Sequence, residues 1–125
     1  MFSFTMKTKT QKIEKWRVEE LALTLKKMAA LLKKGDNYGW ANVLLHFHLE
    51  AQMIIDSKEF NLIQLKKLLV NINNCFTGMS SLANLILWHE NSSERKIINQ
   101  DLNNSRSRLL KILAEIETRT VEYLS

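Results

Sequence analysis

Proline is missing from this chain altogether, and glycine occurs only at Gly35, Gly39 and Gly78. A β-sandwich of this length would need many more turn-forming residues, so the scarcity predicts a few long helices with short connections. The single cysteine, Cys75, excludes an internal disulfide and fits a reducing compartment. No apolar run approaches the ~20 residues of a membrane-spanning helix. The opening Met1-Phe2-Ser3-Phe4-Thr5-Met6 is too short, and too broken by polar residues, for the core of a signal peptide. A cytoplasmic protein with no membrane association is the expectation.

Catalytic patterns are equally scarce. The dinucleotide and phosphate-loop glycine patterns, the His-Glu-x-x-His zinc helix and the Gly-x-Ser-x-Gly elbow are all missing. His46 and His48 point about 160° apart on a helix and cannot share a metal, whereas His46 and Glu50 have the spacing of a surface pair. The dipeptide His89-Glu90 has no partner nearby in sequence. Cys75 has no identifiable base and reads as a small buried hydrophobe. Trp16, Trp40 and Trp88 are too dispersed to form a stacking platform for bases. These gaps point to a protein that is not an enzyme and that needs no metal or cofactor.

What is present is helical patterning. A hydrophobic content of 46% and a charged content of 25% are those of a soluble globular domain. Residues 1–125 are expected to form one all-α bundle of four to five helices, with 1–10 a frayed lead-in. From about Thr10 to Lys34, Ile13, Arg17, Leu21, Leu25, Met28 and Leu32 recur at three- and four-residue spacing. Lys33 and Lys34 suit the end of that helix, and Gly35 is a good residue to follow it.

A second helix, from about Tyr38 to Ile55, carries two apolar stripes: Trp40, Val43, Leu44, Phe47, Ala51 and Ile54, and on the far side Leu45, Leu49 and Met53. A helix apolar on two sides is usually central. The competing possibility is that Leu45, Leu49 and Met53 serve a partner or a homodimer.

Asn61 with Gln64 reads as the cap of a third helix ending near Asn74, with Leu62, Leu65, Leu69 and Ile72 facing inward. Leu82 to Trp88 fits either a short helix or an extended segment, and helix is preferred because a lone strand would have nothing to pair with. Ser92 or Ser93 is expected to start a last helix reaching about Leu124. The poor helix formers Asn103-Asn104-Ser105 are placed to bend or break it.

Net charge is +5, but it is concentrated: residues 1–34 hold nine Lys/Arg against three Glu. Lys12, Lys15, Lys26 and Lys33 cluster on the polar face of the first helix. They form either a solvated face or a footprint for an acidic partner or nucleic acid.

The chain is organised around Cys75-Phe76-Thr77-Gly78-Met79-Ser80-Ser81-Leu82-Ala83-Asn84-Leu85-Ile86-Leu87-Trp88, whose composition does not follow from helix packing alone. Gly78 is expected at φ > 0, where the chain turns to send Leu82, Leu85 and Ile86 into the core. Ser81 is expected to cap the element that follows. On this view the segment positions surfaces; the rival view makes Met79 and Trp88 exposed binding anchors.

The block Phe76-x-Gly78-Met79-x-Ser81-Leu82-x-x-Leu85-Ile86-Leu87 resembles the Gly-Met-Gly-Ser-x-Asn-Asp-Leu block of a family of small bacterial proteins. The similarity extends to the leucine-rich first helix, to Trp40-Ala41 and to the leucine-heavy last helix. Ser80 replaces the family's second glycine, and Ala83-Asn84 replaces its Asn-Asp pair. The loss of the acid suits a structural or recognition role for Gly78, Met79, Ser81, Asn84 and Leu85. The resemblance implies an immunity protein that binds and neutralises a cognate toxin; the basic face of Lys12, Lys15, Lys26 and Lys33, and Trp88 of the organising stretch, are the candidate partner-binding residues. The alternative is a nucleic-acid-associated or regulatory protein using the basic first helix, although the dispersed tryptophans disfavour nucleic acid.

Overall fold

The computed structural model describes residues 13–124, with side chains through Thr120. The expected lead-in at 1–10 and Lys12 therefore lie outside what is described. Among the described residues there are four α-helices: α1 (Lys15–Lys34), α2 (Tyr38–Asp56), α3 (Leu62–Asn74) and α4 (Ser92–Leu124). One turn of 3-10 helix, Leu82–Asn84, interrupts the connection between α3 and α4. The protein is an all-α bundle.

Local chemistry sets the boundaries. Asn37 accepts from the Trp40 N–H at 3.1 Å to start α2, and Asn61 accepts from the Gln64 N–H at 3.0 Å to start α3, as the spacing suggests. Helix α4 starts at Ser92, as expected, and Asn91 just before it accepts from the Glu94 N–H at 2.9 Å. Gly35 follows the last residue of α1, as its position predicts. Gly35 has φ −92, and the left-handed residue is Asp36 at φ 59. What Gly35 provides instead is room, since a Cβ there would lie 2.9 Å from the Leu87 Cβ.

Helix α1 packs along α2 and along α4, and α3 packs against α2 and α4. Four ion pairs mark the antiparallel register of α1 with α4: Glu14–Arg119 (3.7 Å), Arg17–Glu115 (3.6 Å), Glu20–Arg108 (2.8 Å) and Lys34–Glu94 (3.1 Å). Exposed pairs of this kind contribute little energy, so they report alignment more than stability. Nδ1–H of His48 donates to the Ala22 carbonyl at 2.8 Å, tying α2 to α1. The core is built from Leu21, Leu25, Met28 and Leu32 of α1, Leu44 of α2, Leu65 and Ile72 of α3, and Ile98 and Leu102 of α4. Each such side chain contributes on the order of 1.5–3 kcal/mol by leaving water.

Two expectations are corrected. The second stripe of α2 is not covered within the described structure: Leu45 packs against the core, but Leu49 and Met53 are largely exposed. The helix is two-faced without being central. Helix α4 runs unbroken through Asn103-Asn104-Ser105. Leu102 and Leu109 are fully buried on either side of that run, and their packing outweighs a few tenths of a kcal/mol of poor propensity per residue.

Candidate recognition surface

The segment from Cys75 to Asn91 returns the chain from the end of α3 to the start of α4. It begins as a closed loop, in which the Leu82 N–H donates to the Cys75 carbonyl at 2.8 Å. Gly78 has φ +90, the conformation expected for it, and a Cβ there would meet open space. Its constraint is therefore backbone torsion and not crowding. Ser81 is buried and accepts from the Ala83 N–H at 3.3 Å, capping the 3-10 turn. The Asn84 amide donates to the carbonyls of Gly78 and Met79, both at 3.2 Å. Gly78, Ser81 and Asn84 thus build the loop together.

Beyond Asn84 the chain is extended along α4, so the preference for a helix over Leu82–Trp88 fails after its first turn. The objection that a strand would lack partners is answered by side chains. Asn99 acts as a one-residue substitute for a neighbouring strand: its Oδ1 accepts from the Leu87 N–H at 2.7 Å, and its Nδ2 donates to the Leu87 carbonyl at 2.9 Å. The same Nδ2 donates to the Arg95 carbonyl at 2.8 Å, which holds the amide in orientation. Arg106 Nη1 donates to the carbonyls of Leu82 and Leu85, each at 2.9 Å, and Nη2 donates to Asn103 Oδ1. Arg95 Nε donates to the His89 carbonyl at 2.9 Å. Burial draws the Arg106 guanidinium below its ordinary pKa, consistent with its wedged position.

An extended backbone alternates its side chains. Leu82 and Leu87 are buried and Leu85 packs on the core, as expected for Leu82 and Leu85. Ile86 does not enter the core as expected: it is 78% exposed, and Trp88 is 63% exposed. Met79, at the tip of the closed loop, is 92% exposed. Arg95 lies 4.1 Å over the Trp88 ring and fixes its plane through a cation–π contact. The strap thus combines both expectations: its backbone is a structural device, and its outward side chains are three large apolar groups.

The other residues singled out in the sequence are elsewhere. Lys15, Lys26 and Lys33 are exposed and lie within about 20° of one another around α1. They form no ion pair among the described residues. His46 pairs with Glu50 at 2.6 Å on the surface, as the spacing indicates. Burial pushes the Cys75 thiol up from its ordinary pKa, and its Sγ donates to the Asn71 carbonyl. Among the described residues no group of His, Cys, Asp and Glu could hold a metal ion, and no helix is long and apolar enough to cross a membrane.

Sequence reasoning misses Asn99, Arg106 and Arg95, the residues that clamp the strap. The usable signal is a run, Leu85 to Trp88, that is apolar on both sides of an alternation and so hides it.

No family model, curated protein or solved structure matches the chain.

Proposed function

We propose that this chain is a non-catalytic immunity protein that binds a cognate bacterial toxin in the cytoplasm and neutralises it by occupying its surface. One observation carries the binding role: Ile86 and Trp88 are exposed on a strap whose backbone is hydrogen-bonded to α4, and Met79 is exposed on the closed loop that Asn84 holds. Exposed large apolar side chains oppose solubility, and anchoring a partner is the use that offsets this. A pre-ordered strap also loses little conformational freedom on association. The toxin assignment rests on the resemblance of the Gly78 block, and the replacement of its acidic position by Asn84 agrees with recognition in place of chemistry. The lysines of α1 supply long-range attraction toward an acidic toxin surface.

The experiment is co-expression with the toxin encoded beside the gene. Growth restored by the wild-type chain, together with a stable complex on gel filtration, is the expected result. Failure to restore growth, or full protection by the Met79→Ala/Trp88→Ala double variant, would contradict the proposal.

A further inference from the structure

A second surface lies on the outer face of α3. Three hollows join into one trough along it. The largest, about 420 Å³, is lined by Ile63, Lys66, Lys67, Val70 and Asn71. It continues through Lys67 and Asn71 into a hollow of about 270 Å³ beside Met53 of α2. At the other end it continues through Ile63 into one of about 310 Å³ beside Phe60. Ile63, Val70 and Met53 are each more than half exposed. From Ile63 to Asn71 the helical part of the trough is about 12 Å long, or a little over two turns of a helix laid along it.

In the largest hollow the only charged side chains are Lys66 and Lys67, whereas Glu59 lines the Phe60 end and Glu50 the Met53 end. Lys66 and Lys67 form no ion pair among the described residues. At the Met53 end Glu50 is already paired with His46 at 2.6 Å.

We infer that this trough is a docking site for an acidic amphipathic helix of a partner protein. Apolar side chains of the helix at i, i+3/i+4 and i+7 would seat over Ile63, Val70 and Met53, with carboxylates against Lys66 and Lys67. Two other occupants fit the charge less well. A second copy related by a two-fold axis would bring the lysine pairs of both copies toward each other. The chain's own residues 1–12 carry Lys7, Lys9 and Lys12 and no acid. Nucleic acid would meet an apolar floor between the lysines, where phosphate has no partner.

The inference is independent of the strap, and its test keeps the two apart. The probe is a fluorescein-labelled peptide of about 14 residues with leucines at helical spacing and glutamates elsewhere. A scrambled peptide of the same composition and a labelled single-stranded oligonucleotide are the controls. Titrating the full chain into each, with anisotropy as the readout, should give saturable binding of the helical peptide. Binding of the scrambled peptide should be at least about tenfold weaker. Val70→Asp and the pair Lys66→Glu/Lys67→Glu should each weaken the helical peptide about tenfold with the thermal midpoint retained, because all three residues are exposed. Trp88→Ala should leave it unchanged. No binding of the helical peptide, equal binding of the scrambled peptide or the oligonucleotide, or wild-type affinity in both trough variants would overturn the inference.

Discussion

Replacing Asn99 by Ala removes the one side chain that bonds both backbone groups of Leu87. Leu87 is 2% exposed, so its N–H and carbonyl are poorly placed to find water. A buried polar group left without a partner costs about 1–3 kcal/mol. Asn99 is itself half-buried, and water entering from its open side offsets part of the loss. The expected net cost for the two groups is about 2–3 kcal/mol. The strap should not detach outright, because Leu82 and Leu87 hold it with about 1.5–3 kcal/mol of burial each. For a domain of 125 residues the loss corresponds to a fall in Tm of about 10 °C. Chemical denaturation gives the free energy, and hydrogen exchange at the Leu87 amide gives its location. Asn99→Asp separates bonding from packing. It is isosteric and keeps an acceptor for the Leu87 N–H, but it has no donor for the carbonyls of Leu87 and Arg95. If the bonds matter, Asp should fail to rescue. Stability of Asn99→Ala within about 0.5 kcal/mol of wild type, with Leu87 still protected, would refute the reasoning.

The three glycines should respond to alanine in three ways, each measured by denaturant titration. Gly35→Ala forces a Cβ against Leu87 Cβ and Cδ2 at 2.9 Å and should cost about 1–3 kcal/mol. Gly78→Ala meets no atom but keeps φ +90 and should cost about 1 kcal/mol through strain. Gly39→Ala, in the first turn of α2 with open space around it, should be neutral or stabilising by up to about 1 kcal/mol. Glu14 is held below the ordinary carboxylate value of 4.5, first by the hydrogen bond from Arg17, then by a backbone bond and the charge of Arg119. Its contribution should therefore be complete above that value and disappear as pH falls through the lowered one. The gap in thermal midpoint between wild type and Glu14→Gln should close on acidification, and a gap that widens would contradict the assignment. Reversing Lys26 and Lys33 to Glu should slow association with the toxin and flatten its dependence on salt. Identical rates at low and high salt would make that flank a solvated face only.

The helices are legible in the sequence because their signals are local. Leu21, Leu25, Met28 and Leu32 lie one turn apart, and Asn61 caps a donor three residues on. The strap is not, because what holds it is distant: Arg106 reaches Leu82 from 24 residues away and Asn99 reaches Leu87 from 12. A side-chain amide standing in for a strand leaves no periodicity to detect. Gly35 shows the same limit at one position. Its place after α1 marks a helix stop, but the atom that excludes a side chain there belongs to Leu87. Gly78, whose demand is on its own φ, is readable. For the candidate surface, composition identifies the segment and the backbone alternation decides which residues face out. Met79 and Trp88 can be named from the sequence, whereas Ile86 cannot be separated there from its buried neighbours.

The central claim is that the strap's backbone is structural and its outward side chains recognise the partner. Parallel measurement of toxin affinity and thermal midpoint for Met79→Ala and Trp88→Ala tests it most directly. The account expects each variant to keep its midpoint within about 2 °C, since both side chains are largely exposed, while losing affinity by about tenfold or more. A variant pair that binds the toxin as tightly as wild type would contradict it.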